Sequence, residues 1–131
     1  MHLEKLQQLE NNIEELERFK RRYAHDDVRK DTTIQWALRY GFFESIQIVI
    51  DISCHLTAKY NLGNAQTYAE CIDLLSKFNY VESPLAQKLK AMAGLRNILV
   101  HEYVKVNIEQ LYGMLEYLGD FREFAERIKS V

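Results

Sequence analysis

Apolar residues return every three or four positions along most of the chain, the period of a helix with one buried face. In the first segment Leu6, Leu9, Ile13, Leu16, Phe19 and Tyr23 fall on one stripe, which predicts a helix of about six turns. A charged break, HDDVRKD, follows, and Asp26, Asp27 or Asp31 is the candidate cap of the next helix. From Thr32 to Tyr60 the stretch IQWALRYGFFESIQIVIDISCHL is apolar on several faces. Its β-branched run could pass for a strand, but its length and lack of turns predict the central helix of a bundle. NLGNAQ reads as a turn, and Thr67 with Glu70 has the spacing of a capping box that opens a third helix through Phe78. After NYVESP, Ser83 and Pro84 predict the start of a fourth helix that reaches His101 or Tyr103. VKV is then a short link. Asn107 and Gln110 form another capping pair, and Ile108, Leu111, Leu115, Leu118 and Phe121 carry a fifth helix toward the C-terminus.

Long amphipathic helices joined by short connections predict an all-α, up-and-down antiparallel bundle of about five helices. With one proline and five glycines, little interrupts it. The 131 residues read as one domain, residues 1–131, with no repeat or linker. The apolar stripe and acidic outer face of the first helix suggest a homodimer. A hydrophobic fraction of 47% against 27% charged residues argues for a packed core and against disorder. The formal net charge of -2 argues against a protein that coats nucleic acid, so any RNA contact must be local. No apolar run is long enough to cross a membrane, and the start, MHLEKLQQLENNIEELE, lacks a signal-peptide core. Cys54 and Cys71 have no metal-ligand spacing. Two buried thiols in a reducing cytoplasm are favoured over a disulfide, and a cytoplasmic location is expected.

The stretch MAGLRNILVHEYVKVN, residues 92–107, carries the candidate chemistry. RNA can be cut without a metal when its own 2′-hydroxyl attacks the adjacent phosphate. That reaction needs a group that moves protons and a cation that holds the developing charge. His101 suits the first task, because imidazole titrates near neutral pH. Arg96 suits the second, because guanidinium stays charged and grips phosphate with a planar fork. Asn97 is four positions from His101 and shares its helix face, so its amide could orient the ring. Arg96 and His101 are five apart, roughly 140° around an ideal helix. They converge on one phosphate through long side chains, through a helix that ends near Val100, or as contributions from two subunits. The last fits the spacing best.

RNILVHEY resembles the Arg-x4-His-x-Tyr signature of the HepT family, within the HEPN superfamily. The likeness runs on through ALRYGFFESIQIVIDISCHL, TYAECIDLL and LAQKLKAMAGLRN, over roughly residues 30 to 125. It implies a HEPN-like helical bundle that dimerises so that two copies of the motif face one cleft. It implies a metal-independent endoribonuclease, the toxin of a toxin–antitoxin pair, with no cofactor. It also implies a partner, an MntA-type nucleotidyltransferase antitoxin that transfers AMP to the motif tyrosine and so inhibits the toxin. Carried onto this chain, Arg96 and His101 are the catalytic pair, Asn97 is a supporting residue and Tyr103 is the modified one. The substrate would be RNA, such as tRNA or mRNA.

Other residues carry weaker signals. Asp51 and His55, four apart on the central helix, read first as a buried, mutually satisfied pair and second as a shell supporting the site. Arg18, Lys20, Arg21 and Arg22 read as a solvated helix end offset by Glu14, Glu15 and Glu17 rather than an RNA contact. His2 and His25 carry no assignment. No HExxH, P-loop, GxSxG or zinc spacing is present, and no metal site is expected. The alternative function is a non-catalytic binding subunit of a nucleotidyltransferase, and beyond that a structural bundle with a vestigial site.

Overall fold

The apolar segment expected at the centre is α3 (Thr32–Lys59), a 28-residue helix whose buried residues include Leu38, Phe42, Ile46, Val49, Ile52 and Leu56. Asp31 caps it, accepting hydrogen bonds from the Thr33 and Ile34 amides at 2.9 and 3.2 Å. The computed structural model describes residues 2–131, with side chains from Leu3 onward, so the side chain of His2 lies outside the described set. Around α3 are α1 (His2–Arg22), α2 (His25–Lys30), α4 (Tyr68–Lys77), α5 (Ser83–His101), α6 (Ile108–Gly113) and α7 (Leu118–Lys129). Among the described residues there is no strand. α3 packs on α1, α4 and α5, and α7 closes the bundle against α1 and α5.

Three boundaries differ from the sequence expectation. HDDVRK is a helical turn and a half rather than a break. The Asp27 carboxylate accepts from the Ala24 amide at 2.8 Å and nucleates it, and Val28 is buried beneath. Ser83 lies inside α5, whose cap position is Glu82 with no side-chain bond; Pro84 is in the first turn as expected. The C-terminal helix is split by a 3-10 turn, Met114–Tyr117, across which Leu111, Leu115 and Leu118 all stay buried. The remaining caps match the residues expected: Thr67 accepts from the Glu70 amide, and Asn107 from the Glu109 and Gln110 amides.

The stripe of α1 is used up within the chain. Leu6, Leu9, Ile13 and Leu16 are buried against α3 and α7, so they do not provide a dimer surface. α1 and α3 meet closely at Gly41, where a Cβ would come within 2.9 Å of Leu16 Cδ2. α3 ends with Asn61 in the left-handed region (φ 51) and the Leu62 amide bonded to the Thr57 carbonyl at 2.9 Å. α4 ends the same way, with Asn79 at φ 66 and the Tyr80 amide on the Leu75 carbonyl.

The cysteine expectation is corrected. Packing of α4 on α3 brings Cys54 and Cys71 to a Cα–Cα distance of 5.0 Å, and they are joined as a disulfide. A separation of 17 residues with no motif hid the pairing, which exists only because two antiparallel helices are in register.

Phe124 has 0% exposure and seals α7 against the core. Phe124→Ala is expected to lower the free energy of unfolding by about 3–5 kcal/mol, read from urea denaturation. A change below about 1 kcal/mol would show that α7 is not part of the cooperative core.

Candidate active site at the end of helix α5

α5 buries Leu85, Ala86, Leu89, Met92, Ala93 and Leu99, and that stripe fixes its rotation. Arg96, half-buried, is thereby turned toward α3 and the start of α4. Its Nε donates to Gln47 Oε1 at 2.8 Å, and its Nη1 to Asn97 Oδ1 at 3.2 Å. The guanidinium carbon lies 5.9 Å from the Phe43 ring centroid and 5.4 Å from that of Tyr68. Gln47 is itself oriented: its Nε2 donates to Asp51 Oδ1 at 2.8 Å, and Lys5 Nζ bridges to Asp51 Oδ2 at 3.3 Å. The result is a relay, Lys5–Asp51–Gln47–Arg96. A neutral amide holds the guanidinium by one edge, no carboxylate bonds to it among the described residues, and further N–H donors remain for an anion.

His101 is the last residue of α5 and is exposed. Glu102 ends the helix, its amide still bonded to the Ile98 carbonyl at 2.9 Å. Tyr103, 60% exposed, opens the 3-10 turn Tyr103–Lys105. Among the described residues no hydrogen bond or ion pair joins Arg96 to His101. The chain therefore brings Arg96 and Asn97 together, and leaves His101 and Tyr103 on the solvent side of the same helix end. Asn97 bonds to Arg96 rather than orienting the imidazole.

Asp51 is part-buried on α3. Its side chain is 37% exposed and is held by Gln47 and Lys5. It is linked to Arg96 through Gln47. His55 is half-buried one turn further along α3. The basic end of α1 is solvated: Arg18 pairs with Glu15 at 2.7 Å, Lys20 with Glu116 at 3.2 Å, and Arg22 lies over the Tyr23 ring. His25 packs edge-on against Tyr112 at 4.1 Å. Among the described residues no cluster of three or more His, Cys, Asp or Glu is placed to hold a metal.

Beside the motif lies an exposed apolar surface. Trp36, Tyr40, Phe43, Val100 and Tyr103 line a shallow hollow of about 340 Å³, and Val104 is nearby in the chain and 86% exposed. Tyr40 donates its hydroxyl to Glu44 at 2.8 Å, and that carboxylate raises the phenol's pKa above the usual range.

Residues 9–128 match the ribonuclease HepT-like family. The chain belongs to the HepT-like ribonucleases. It is 32% identical over 103 residues to an mRNA nuclease HepT of Shewanella oneidensis, covering 78% of this chain and 77% of that one. It is 32% identical over 85 residues to a tRNA nuclease HepT of Aphanizomenon flos-aquae, covering 64% and 58%. Its fold superposes on a tri-AMPylated Shewanella oneidensis HEPN toxin, solved in complex with an MNT antitoxin. The TM-score is 0.87 at 27% identity, and 99% and 97% of the two chains are covered.

Reading the sequence missed Gln47, Phe43 and Tyr68. The available signal was that Glu44, Gln47 and Asp51 interrupt an otherwise apolar helix at helical spacing. No local rule joined Gln47 to an arginine 49 residues away.

Gln47→Leu keeps the volume but removes the acceptor of a part-buried guanidinium. It is expected to lower stability by about 1–2 kcal/mol in urea denaturation, with unchanged helical circular dichroism. Unchanged stability would mean that the relay does not hold Arg96.

Proposed function

We propose that this HepT-like chain is the toxin of a toxin–antitoxin pair and cleaves RNA without a metal at a site built by two copies of the motif. The observation that carries this reading is the arrangement of Arg96. Its guanidinium is half-buried, bonded to neutral amides rather than a carboxylate, and five residues before an exposed His101 on the same helix. A cation held by neutral acceptors keeps its charge and its remaining N–H donors for a phosphate.

In the proposed reaction the 2′-oxygen attacks the adjacent phosphorus and the 5′-oxygen of the next nucleotide leaves. His101 takes the proton from the 2′-hydroxyl, and the leaving 5′-oxygen takes a proton from water. Arg96 bears the charge that builds on the phosphoryl oxygens. Asn97 and Gln47 position Arg96. The angular separation of Arg96 and His101 on α5 favours a homodimer in which one copy's arginine serves with the other's histidine. The apolar surface of Trp36, Tyr40 and Val100 beside the motif suits such a contact.

Tyr103 is the proposed target of the antitoxin, an MntA-type nucleotidyltransferase. Its exposure makes the phenol available for attack on the α-phosphorus of ATP, which forms an O-linked AMP and releases pyrophosphate. The added phosphate places negative charge where the RNA phosphate must approach His101, and inhibition follows from repulsion and bulk. The Shewanella oneidensis HEPN toxin, AMPylated and complexed with its MNT antitoxin, supports this regulation. The expected location is the cytoplasm, where mRNA and tRNA are found. Among the described residues no helix is long and apolar enough to cross a membrane.

Unmodified wild-type protein is expected to cleave RNA in excess EDTA. His101→Ala should slow cleavage by about 10²–10⁴-fold with an unchanged melting temperature. With the antitoxin and ATP, wild type should gain the mass of AMP and Tyr103→Phe should not gain it at that position. Full activity in His101→Ala would remove the proposed catalytic role. No cleavage by unmodified wild type across tRNA and mRNA would favour a non-catalytic partner of the nucleotidyltransferase.

A further inference from the structure

A second hollow, of about 780 Å³, lies on the Asn97 side of the motif. It separates the α3–α4 connection from α5, and Asn64, Gln66, Thr67, Tyr68, Gly94 and Asn97 are among its lining residues. Its size falls in the range of roughly 300–1,000 Å³ typical of small-ligand sites. It is continuous with the candidate active site through two residues. Asn97 holds Arg96, and the Tyr68 ring, 41% exposed, lies under the same guanidinium.

We infer that this groove seats a nucleoside of the RNA strand next to the scissile phosphate, with the Tyr68 ring as the stacking surface for its base. The inference rests on the ribonuclease reading above and names where the strand runs. The chemistry of the lining carries it. Asn64, Gln66 and Asn97 are neutral amides that offer both donors and acceptors, as base edges and ribose hydroxyls require. A phosphate is not suited to the same place. The Glu70 carboxylate occupies the start of α4, accepting from the Gln66 amide, and Lys90 is paired with Asp73 at 2.9 Å. The nucleoside is thus assigned to the groove and its phosphate to Arg96.

Gly94 is the second observation. It sits on an exposed face within α5, where a Cβ would meet no other atom within 4 Å. Glycine there costs about 0.5–1 kcal/mol relative to alanine and relieves no clash within this chain. What its bare backbone preserves is the open wall of the groove. The opposite wall is pre-formed. The Cys54–Cys71 disulfide ties α3 to α4, and Gly63 packs where a Cβ would lie 2.9 Å from Leu74 Cδ2. The groove can therefore receive a base without paying to order a loop.

Gly94→Phe fills the groove from an exposed position and leaves Arg96, His101 and Tyr68 in place. Binding of a fluorescein-labelled single-stranded RNA of mixed sequence is measured by anisotropy in a His101→Ala background. Gly94→Phe should weaken it about 5–150-fold, the range for losing one base stack. Gly119→Phe, the same change at an open glycine on α7, should leave it unchanged. If Gly94→Phe fails to fold, irradiation of 4-thiouridine RNA on the His101→Ala protein gives a second readout, and its crosslinks should fall on residues 64–68 or 97. Unchanged affinity in a folded Gly94→Phe, or crosslinks that avoid both segments, overturns the groove while leaving the nuclease reading intact. Wild type that neither binds nor cleaves RNA overturns both.

Discussion

Burying residues 41–57 of one helix on nearly every side leaves them a single strip on which polar chemistry can stand. α3 is that helix. Ser45 and Thr57 satisfy their buried hydroxyls by bonding back to carbonyls four residues earlier, so the interior keeps its helical ladder intact. The half-open strip runs through Phe43, Glu44, Gln47, Asp51, Cys54 and His55. α5 packs beside it. The arginine that α5 presents therefore meets a ring and an amide rather than solvent. α4 is tied to the end of the same strip by the Cys54–Cys71 bond and supplies the second ring, Tyr68. The packing that stabilises the bundle is thus the packing that positions the guanidinium.

This arrangement divides the motif into parts of different rigidity. Arg96 is in mid-helix, gripped through Nε and Nη1. His101 and Tyr103 come after it, where the α-helix gives way to a 3-10 turn. In the proposed account, electrostatic stabilisation requires a cation that need not reorganise during reaction, and the half-buried Arg96 is that cation. In the same account, proton transfer and covalent modification require access, which the exposed His101 and Tyr103 have. In the proposed account one tyrosine can be modified without disturbing the core, so inhibition acts on the substrate's approach and leaves the fold unchanged.

Much of this was legible in the sequence. Periodicity placed α1, α3, α4 and α5. Asp31, Thr67 and Asn107 marked helix starts, because a capping side chain acts within three residues of itself. The all-round apolar character of α3 made it central, and the motif fell at the end of α5 as expected. Features that depend on register between helices were not legible: the Gln47–Arg96 bond, the disulfide, and the groove opposite Gly94. The stripe of α1 shows the same limit. An apolar stripe shows that a face is buried but not what buries it, and here α3 and α7 do so. The short α2 and the 3-10 turn at Met114–Tyr117 escaped because apolar spacing alone does not distinguish a turn and a half of helix from a loop, nor one helix type from another.

The central claim is that Arg96 of one copy works with His101 of another, and mixing two inactive variants tests it most directly. Purified Arg96→Ala and His101→Ala proteins would be combined, allowed to exchange subunits, and assayed for RNA cleavage in EDTA. A mixed dimer with a shared site contains one complete pairing, so activity should rise well above that of either parent, toward half that of wild type per mixed dimer. If each chain instead carries its own complete site, both sites in the mixed dimer lack a residue, and the mixture would stay as inactive as its parents. That second result, with subunit exchange confirmed, would contradict the composite site.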